Sequence, residues 1–346
     1  MGPTEEMTED RSAHEVLAWG RVVVDPALRE AVDTLPGAMR LISGYHFGWW
    51  DERGRPTGTE GGKALRPTLV LLAAGAAGGA HTAALPAAVA VELVHNFSLL
   101  HDDVMDGDLT RRHRPTAWSV FGTNAAILVG DALLTLAFDV VAAGRHPSAQ
   151  AGTRMLSAAV QDLVEGQSSD MAFEGRANVG LAECLGMAGG KTGALLGCAC
   201  ALGASFGDGA AEQIGHLRAF GEKLGVAFQL VDDLLGIWGD PAVTGKPVYS
   251  DLHNRKKSLP VVAALSSGTD AGTELAELYR REQPLSDAEL VHAAELIGRA
   301  GGRAWSQAHA NHLLAEALRR LRAARPTERA AAELEGLARL VTRRDR

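Results

Sequence analysis

The sequence predicts an all-α fold: one helical bundle around a central cavity. Three observations lead there. The Val/Ile/Thr alternation of half-buried strands is absent. Apolar residues recur at three- and four-residue spacing along most of the chain. Ala, Leu and Gly dominate, and apolar residues make up 46%, enough for a substantial core. At 346 residues the chain is long for one domain, but helical folds of this size form single units, and no fixed-period repeat divides it.

Taken in order, residues 1–12 are polar and acidic and read as a disordered tail, with residues 13–346 as one all-α domain. Helical pattern runs from Ala13 to Arg40, with Pro26 and Pro36 as breaks. Tyr45, Phe47, Trp49 and Trp50 follow, an aromatic group suited to packing against a neighbouring helix or subunit, and then a loop over 51–62. Lys63 and Arg66 open the helix through Val70–Ala77. Cations at a helix N-terminus are unfavourable unless an anion faces them, and free N–H groups there add to an anion site.

Pro86–His101 is a helix that runs into Asp102, Asp103 and Asp106. Asp102 and Asp106, four apart, share a helical face, where like charges repel, and they sit at the dipole end that disfavours anions. Arg111, Arg112 and Arg114 follow at once, and Arg suits bidentate phosphate contact. Further helices are expected over Ala125–Ala143 and Met155–Ala172. Gly189-Gly190-Lys191-Thr192 then leads into a helix of small residues that allow close approach. Asp232 and Asp233 end a second apolar run, Leu224–Val231, again against the local dipole. Asp240–Pro247 reads as a loop, Leu259–Leu265 as a helix, and 274–346 as three or four more. Two acidic clusters at the inner ends of apolar helices suggest two walls of one cavity filled by Mg²⁺ and a diphosphate, since Mg²⁺ is usually held by one or two carboxylates plus substrate phosphates.

The bulk properties exclude several classes. A net charge of 34 − 42 = −8 argues against a nucleic-acid partner. Cys184, Cys198 and Cys200 lack zinc or disulfide spacing and point to a reducing cytosol. The N-terminus lacks the form of a signal peptide. With no uninterrupted apolar run of about eighteen residues, no transmembrane segment is expected, and the expected location is cytoplasmic.

GGKALRP, LLHDDVMDGDLTRR, GDALL, GGKTGALL, FQLVDDLLG and TGKPVYSDLHNRKKS occur in the order found in the trans-isoprenyl (polyprenyl) diphosphate synthase family, which the chain resembles from roughly residue 35 to 325. The resemblance implies the family's helical bundle, usually a homodimer, condensing isopentenyl diphosphate with an allylic diphosphate. It implies about three Mg²⁺ ions, with Mn²⁺ able to substitute. Asp102, Asp106 and Asp232 match its metal ligands, with Asp103 and Asp233 in support. Arg111, Lys191, Thr192, Gln229, Lys246 and Lys256 match positions around the allylic diphosphate. Gly62, Lys63, Arg66, His95 and Arg112 match the isopentenyl diphosphate pocket.

One position departs from the pattern: Gly236 stands where the second motif often has its last aspartate, and Asp240 lies four residues further on. Product length is expected to be set on the helix before Asp102. Ser98, Phe97 and Val94 line the path, and Phe97 as a floor resembles geranylgeranyl-type synthases making C20 chains; farnesyl or longer products are the alternatives. A class I terpene cyclase shares the fold, but it needs a Ser/Thr where Gly236 stands and has no use for an isopentenyl pocket. A non-catalytic subunit of a heteromeric synthase generally lacks intact acidic motifs. YHFGWWD and DDLLGIWGDPAVTGKPVYSDL also resemble actinobacterial polyprenyl transferases that are cargo of family 2 encapsulin shells, with the N-terminal tail as tether.

Overall fold

Ser12 starts the first helix. Its hydroxyl accepts from the Glu15 N–H, while the Glu15 carboxylate accepts from the Ser12 N–H at 2.8 Å, a reciprocal cap. The computed structural model describes residues 11–58, 62–176, 178–241, 248–281 and 283–342. Of the stretch 1–12 expected as a tail, only residues 11 and 12 are among the described residues. Arg11 lies 4.3 Å from the Trp19 ring and 2.8 Å from Glu333, so residues 11 and 12 are packed; residues 1–10 fall outside the described set.

Helix α1 (Ala13–Asp33) runs through Pro26, where a break was expected. Proline removes the bond to the Val22 carbonyl, but Val22 is 74% exposed, so water can take its place. Pro36 does separate α1 from α2 (Gly37–Phe47), which ends on Gly48 at φ 84°. The aromatic stretch packs within the chain. Phe47 stacks on Trp49 at 4.6 Å between centroids, Arg29 of α1 covers Trp49 at 4.4 Å, and Trp50 Nε1 donates to the Leu41 carbonyl at 2.7 Å.

Next come α3 (Leu65–Ala76) and α4 (Leu85–Met105). A short hairpin follows, β1 (Thr110–Arg111) paired antiparallel with β2 (Arg114–Pro115). Then come α5 (Ala117–Phe121), α6 (Thr123–Ala142), α7 (Ala149–Glu174), α8 (Leu181–Ala188), a π-helical turn at Gly189–Gly193, α9 (Ala194–Phe206) and α10 (Ala211–Trp238). The C-terminal part holds α11 (Ser250–His253), α12 (Leu259–Leu265), α13 (Asp270–Tyr279), α14 (Asp287–Arg299), α15 (Gly302–Ala323) and α16 (Glu328–Thr342).

Helix α9 is the axis of the bundle. Every residue from Leu195 to Phe206 is buried, and α3, α4, α7 and α10 pack around it. Its Gly, Ala and Cys residues let those backbones approach. Leu93, Leu133, Leu196 and Phe220, all fully buried, each contribute roughly 2 kcal/mol by area removed from water. This core holds the C-terminal ends of α4 and α10, and thus both acidic pairs, in place.

Three helical stretches, His81–Met105, Thr123–Ala142 and Leu181–Phe206, are long and apolar enough to cross a membrane by length and composition, correcting the expectation drawn from uninterrupted runs. Scattered polar residues break a run without lowering a helix's mean hydropathy far. The first and third have 67% of that stretch buried inside the protein, the second 39%.

Candidate active site

Helix α4 passes the expected end at His101 and carries Asp102 and Asp103 in its last turn, with Asp106 as its C-cap. The Asp106 N–H donates to the Asp102 carbonyl at 2.8 Å, so the two side chains start one turn apart. On α10, Asp232 and Asp233 sit two turns before the end. The pairs share one design. Asp102 and Asp232 are accessible, whereas Asp103 and Asp233 are 2% and 3% exposed and bonded to protein. Arg111 Nε donates to Asp103 at 2.6 Å. Gln229 Nε2 and the Leu259 N–H donate to Asp233 at 2.8 and 2.9 Å, and Gln229 Oε1 accepts from Thr192 Oγ1 at 2.7 Å. Thr192 lies on the π-helical turn between α8 and α9, a distortion common at functional sites.

Burial pushes the Asp103 carboxyl up to about 6 against Arg111, and the Asp233 carboxyl up to about 7 against Lys256. Burial also raises Asp102, with Asp106 and Asp170 adding to the rise and Lys191 opposing it. The two walls meet in a mixed cluster. Lys191 Nζ donates to Asp170 at 2.7 Å. Burial disfavours the Lys256 ammonium, but Asp170, Asp233, Asp251 and Asp106 outweigh it and raise its pKa. Lys246 lies outside the described residues.

The second pocket is cationic. His95 Nε2 accepts from Arg66 Nη1 at 3.1 Å. Burial, then Arg66 and Arg112, push His95 well below the ordinary histidine range, so it is neutral and presents an acceptor. Arg112 and His113 form the hairpin tip with φ of 52° and 60°, a type I′-like turn without glycine. That costly backbone delivers the Arg112 guanidinium onto Gly62, where a Cβ would come within 2.7–2.9 Å of it. Arg21 Nη2 holds the Gly62 carbonyl at 2.8 Å from behind. Lys63 is exposed on the same segment. Asn96, Glu92, Asp25 and Arg21 close the back of this pocket around a small cavity.

Phe97 and Val94 line α4 below Asp102, 6% and 0% exposed. The Phe97 ring meets His101 edge-on at 4.8 Å, and the Ser98 hydroxyl turns back to the His95 carbonyl at 2.8 Å. Sequence reasoning left Asp170 without a role, because it stands alone in GQSSDM and only the fold brings Lys191 and Lys256 to it. Helix α10 ends at Trp238, so Asp240 leaves the helical register and does not continue the Asp232 face.

Among the described residues, no three carboxylates, imidazoles or thiols converge to ligate one metal ion unaided. Asp102, whose carboxyl burial raises with Asp106 and Asp170 adding to the rise, stands with Asp106 and Asp232 as a set of oxygen donors. Such a set fits Mg²⁺, which needs only one or two carboxylates once a diphosphate supplies further oxygens.

An acidic wall with a cationic pocket beside it and buried apolar residues below it, set in a helical bundle, make up the site. Residues 52–297 match the polyprenyl synthetase family model, and the chain belongs to that family of prenyltransferases. It is 47% identical over 332 residues to a (2E,6E)-farnesyl diphosphate synthase of Mycobacterium tuberculosis, covering 95% of this chain and 92% of that one. It is 44% identical over 331 residues to a geranylgeranyl diphosphate synthase of the same organism, covering 95% and 93%. The crystal structure of a polyprenyl synthetase from Streptomyces coelicolor A3(2) superposes with a TM-score of 0.90 at 46% identity, covering 94% of this chain and 98% of that one. Prenyl diphosphate synthases of this family are generally Mg²⁺-dependent.

Proposed function

We propose that this chain condenses isopentenyl diphosphate with an allylic diphosphate and stops at a C20 product, geranylgeranyl diphosphate. The observation that carries the length is Phe97. It is the bulky ring on α4, five residues or roughly 7–8 Å before Asp102, buried against His101, with small Ser98 above it. The relatives named above make both fifteen- and twenty-carbon chains, so product length rests on this channel.

Asp102, Asp106 and Asp232 would hold about three Mg²⁺ ions, or Mn²⁺ in their place, whose chemistry is to stabilise charge on the leaving diphosphate. Arg111, Lys191, Thr192, Gln229, Lys246 and Lys256 orient the allylic diphosphate, and the cations among them favour its developing charge. Gly62, Lys63, Arg66, His95 and Arg112 seat isopentenyl diphosphate. The allylic C–O bond ionises, the isopentenyl double bond attacks the cation, and the released diphosphate takes the proton. Phe97 and Val94 keep water from the cation. A homodimer in the cytoplasm completes the reading. The cargo resemblance extends it to an encapsulin shell, with residues 1–10 as tether.

The test is product analysis with isopentenyl diphosphate, Mg²⁺ and the five-, ten- or fifteen-carbon allylic diphosphate. A C20 product is expected. Chains of fifteen or of more than twenty carbons would overturn the length assignment. Cyclic hydrocarbon formed without isopentenyl diphosphate would establish a terpene cyclase instead.

A further inference from the structure

Asp102 and Asp106 sit where α4 is weakest. The last turn of a helix leaves its carbonyls without intrahelical partners, its dipole disfavours carboxylates, and side chains of like charge one turn apart repel. His101, the residue before Asp102, ties that turn to α6. Its Nε2 lies 3.0 Å from the Ile127 carbonyl; a carbonyl only accepts, so Nε2 carries its proton and donates. Gly130 makes this contact possible. A Cβ there would lie 2.2, 2.4 and 3.3 Å from Nε2, Cδ2 and Cε1 of His101, so the ring rests on a bare Cα. Glycine inside a helix costs roughly 1 kcal/mol relative to alanine, and Gly130 is the single glycine of α6. Asp131 Oδ1 lies 3.8 Å from the same Nε2, and the Phe97 ring meets the imidazole edge-on at 4.8 Å. Gly130 and Asp131 open GDALL, a motif that neither the acidic wall nor the cationic pocket uses. Successive side chains on a helix point about 100° apart, so fixing the roll of His101 fixes that of Asp102.

We propose that His101 is a positioning residue for the first acidic motif. Seated on Gly130 and bonded to the Ile127 carbonyl, it sets the roll of the last turn of α4, and with it the direction in which Asp102 meets the Mg²⁺–diphosphate assembly. The inference rests on the prenyltransferase reading above and adds to it a part for α6.

Calorimetric titration of Mg²⁺ with inorganic pyrophosphate as the probe tests this without turnover, with melting temperatures read alongside. His101→Leu keeps bulk on Gly130 and loses the donor. His101→Gln keeps an N–H donor at similar reach. The Mg²⁺ midpoint for pyrophosphate binding is expected to rise about tenfold in His101→Leu and to stay within about threefold of wild type in His101→Gln. Gly130→Ala pushes the ring off α6 from the other side and is expected to raise the midpoint about as far as His101→Leu. A contact that only packs would lower the melting temperature and leave the midpoint unchanged, and that result in His101→Leu overturns the inference alone. So does a midpoint raised equally in His101→Leu and His101→Gln, since the bond to Ile127 is then not the device. Where His101→Leu does not fold, Gly130→Ala decides: a midpoint raised about tenfold supports the inference, and a wild-type midpoint overturns it. Wild-type protein that binds no pyrophosphate with Mg²⁺ overturns the prenyltransferase reading and this inference with it.

Discussion

At the residue scale, Asp102 and Asp232 are the more exposed member of each acidic pair, whereas Asp103 and Asp233 are buried against Arg111, Gln229 and the Leu259 N–H. Replacing either Asp102 or Asp232 with Ala is expected to lower turnover at saturating Mg²⁺ by at least about 10²-fold. Steady-state kinetics at near-wild-type rates in either variant would sink the assigned metal ligands. His46 gives a prediction about stability instead. Burial, then Arg112 and Arg111 of the hairpin and Arg114 beyond them, push it down to about 3, against a hydrogen bond to Asn96 of α4. Its folded pKa is thus below its unfolded value of 6.5. As pH falls below 6.5, the unfolded chain takes up a proton that the folded one refuses, so stability is lost from 6.5 down towards 3 at up to about 1.4 kcal/mol per pH unit. Thermal melts from pH 7 to 5 should show a shallower loss in His46→Gln than in wild type. Parallel curves would remove His46 from the acid response.

At the element scale, α4 shows what a sequence can and cannot declare. The charge conflict at Asp102 and Asp106 was legible, since it depends only on spacing and helix polarity. The hairpin was not, because Arg112 and His113 adopt positive φ without Gly or Asn to signal it. Pro26 read as a stop, yet solvent at Val22 lets α1 continue. The seat of His101 on Gly130 was invisible too, because the two lie twenty-nine residues apart on different helices. The residues of α4 before Asp102 yield the product-length prediction. Phe97→Ala is expected to shift products from about twenty carbons to longer chains, with about 3–5 kcal/mol of stability lost to the core truncation. Ser98→Phe is expected to narrow the upper channel and shorten products towards fifteen. Chromatography of the dephosphorylated products checks both, and an unchanged distribution in both places the floor on another element.

At the scale of the whole molecule, α6 is the exception to an otherwise buried architecture. Its apolar stretch has a mean hydropathy of 2.0, yet only 39% of it is covered within the chain, against 67% for the other two helices of this kind. Ile127 and Leu128 are 39% and 54% exposed, and Val120 on neighbouring α5 is 38% exposed. The homodimer proposed above would cover this face with a second copy of the same character. The face is also joined to the chemistry. His101 Nε2 lies 3.0 Å from the Ile127 carbonyl, and His101 immediately precedes Asp102. Covering α6 therefore steadies the end of α4 that carries the first acidic motif. Leu128→Lys places a charge on this face without entering the core. It is expected to convert a dimer into a monomer in sedimentation velocity, to leave the helical circular dichroism intact, and to lower turnover as the monomer fraction grows. A wild-type protein that sediments as a monomer removes the homodimer. A Leu128→Lys protein that stays dimeric assigns the interface to another face, and one that is monomeric yet fully active uncouples α6 from the site at Asp102.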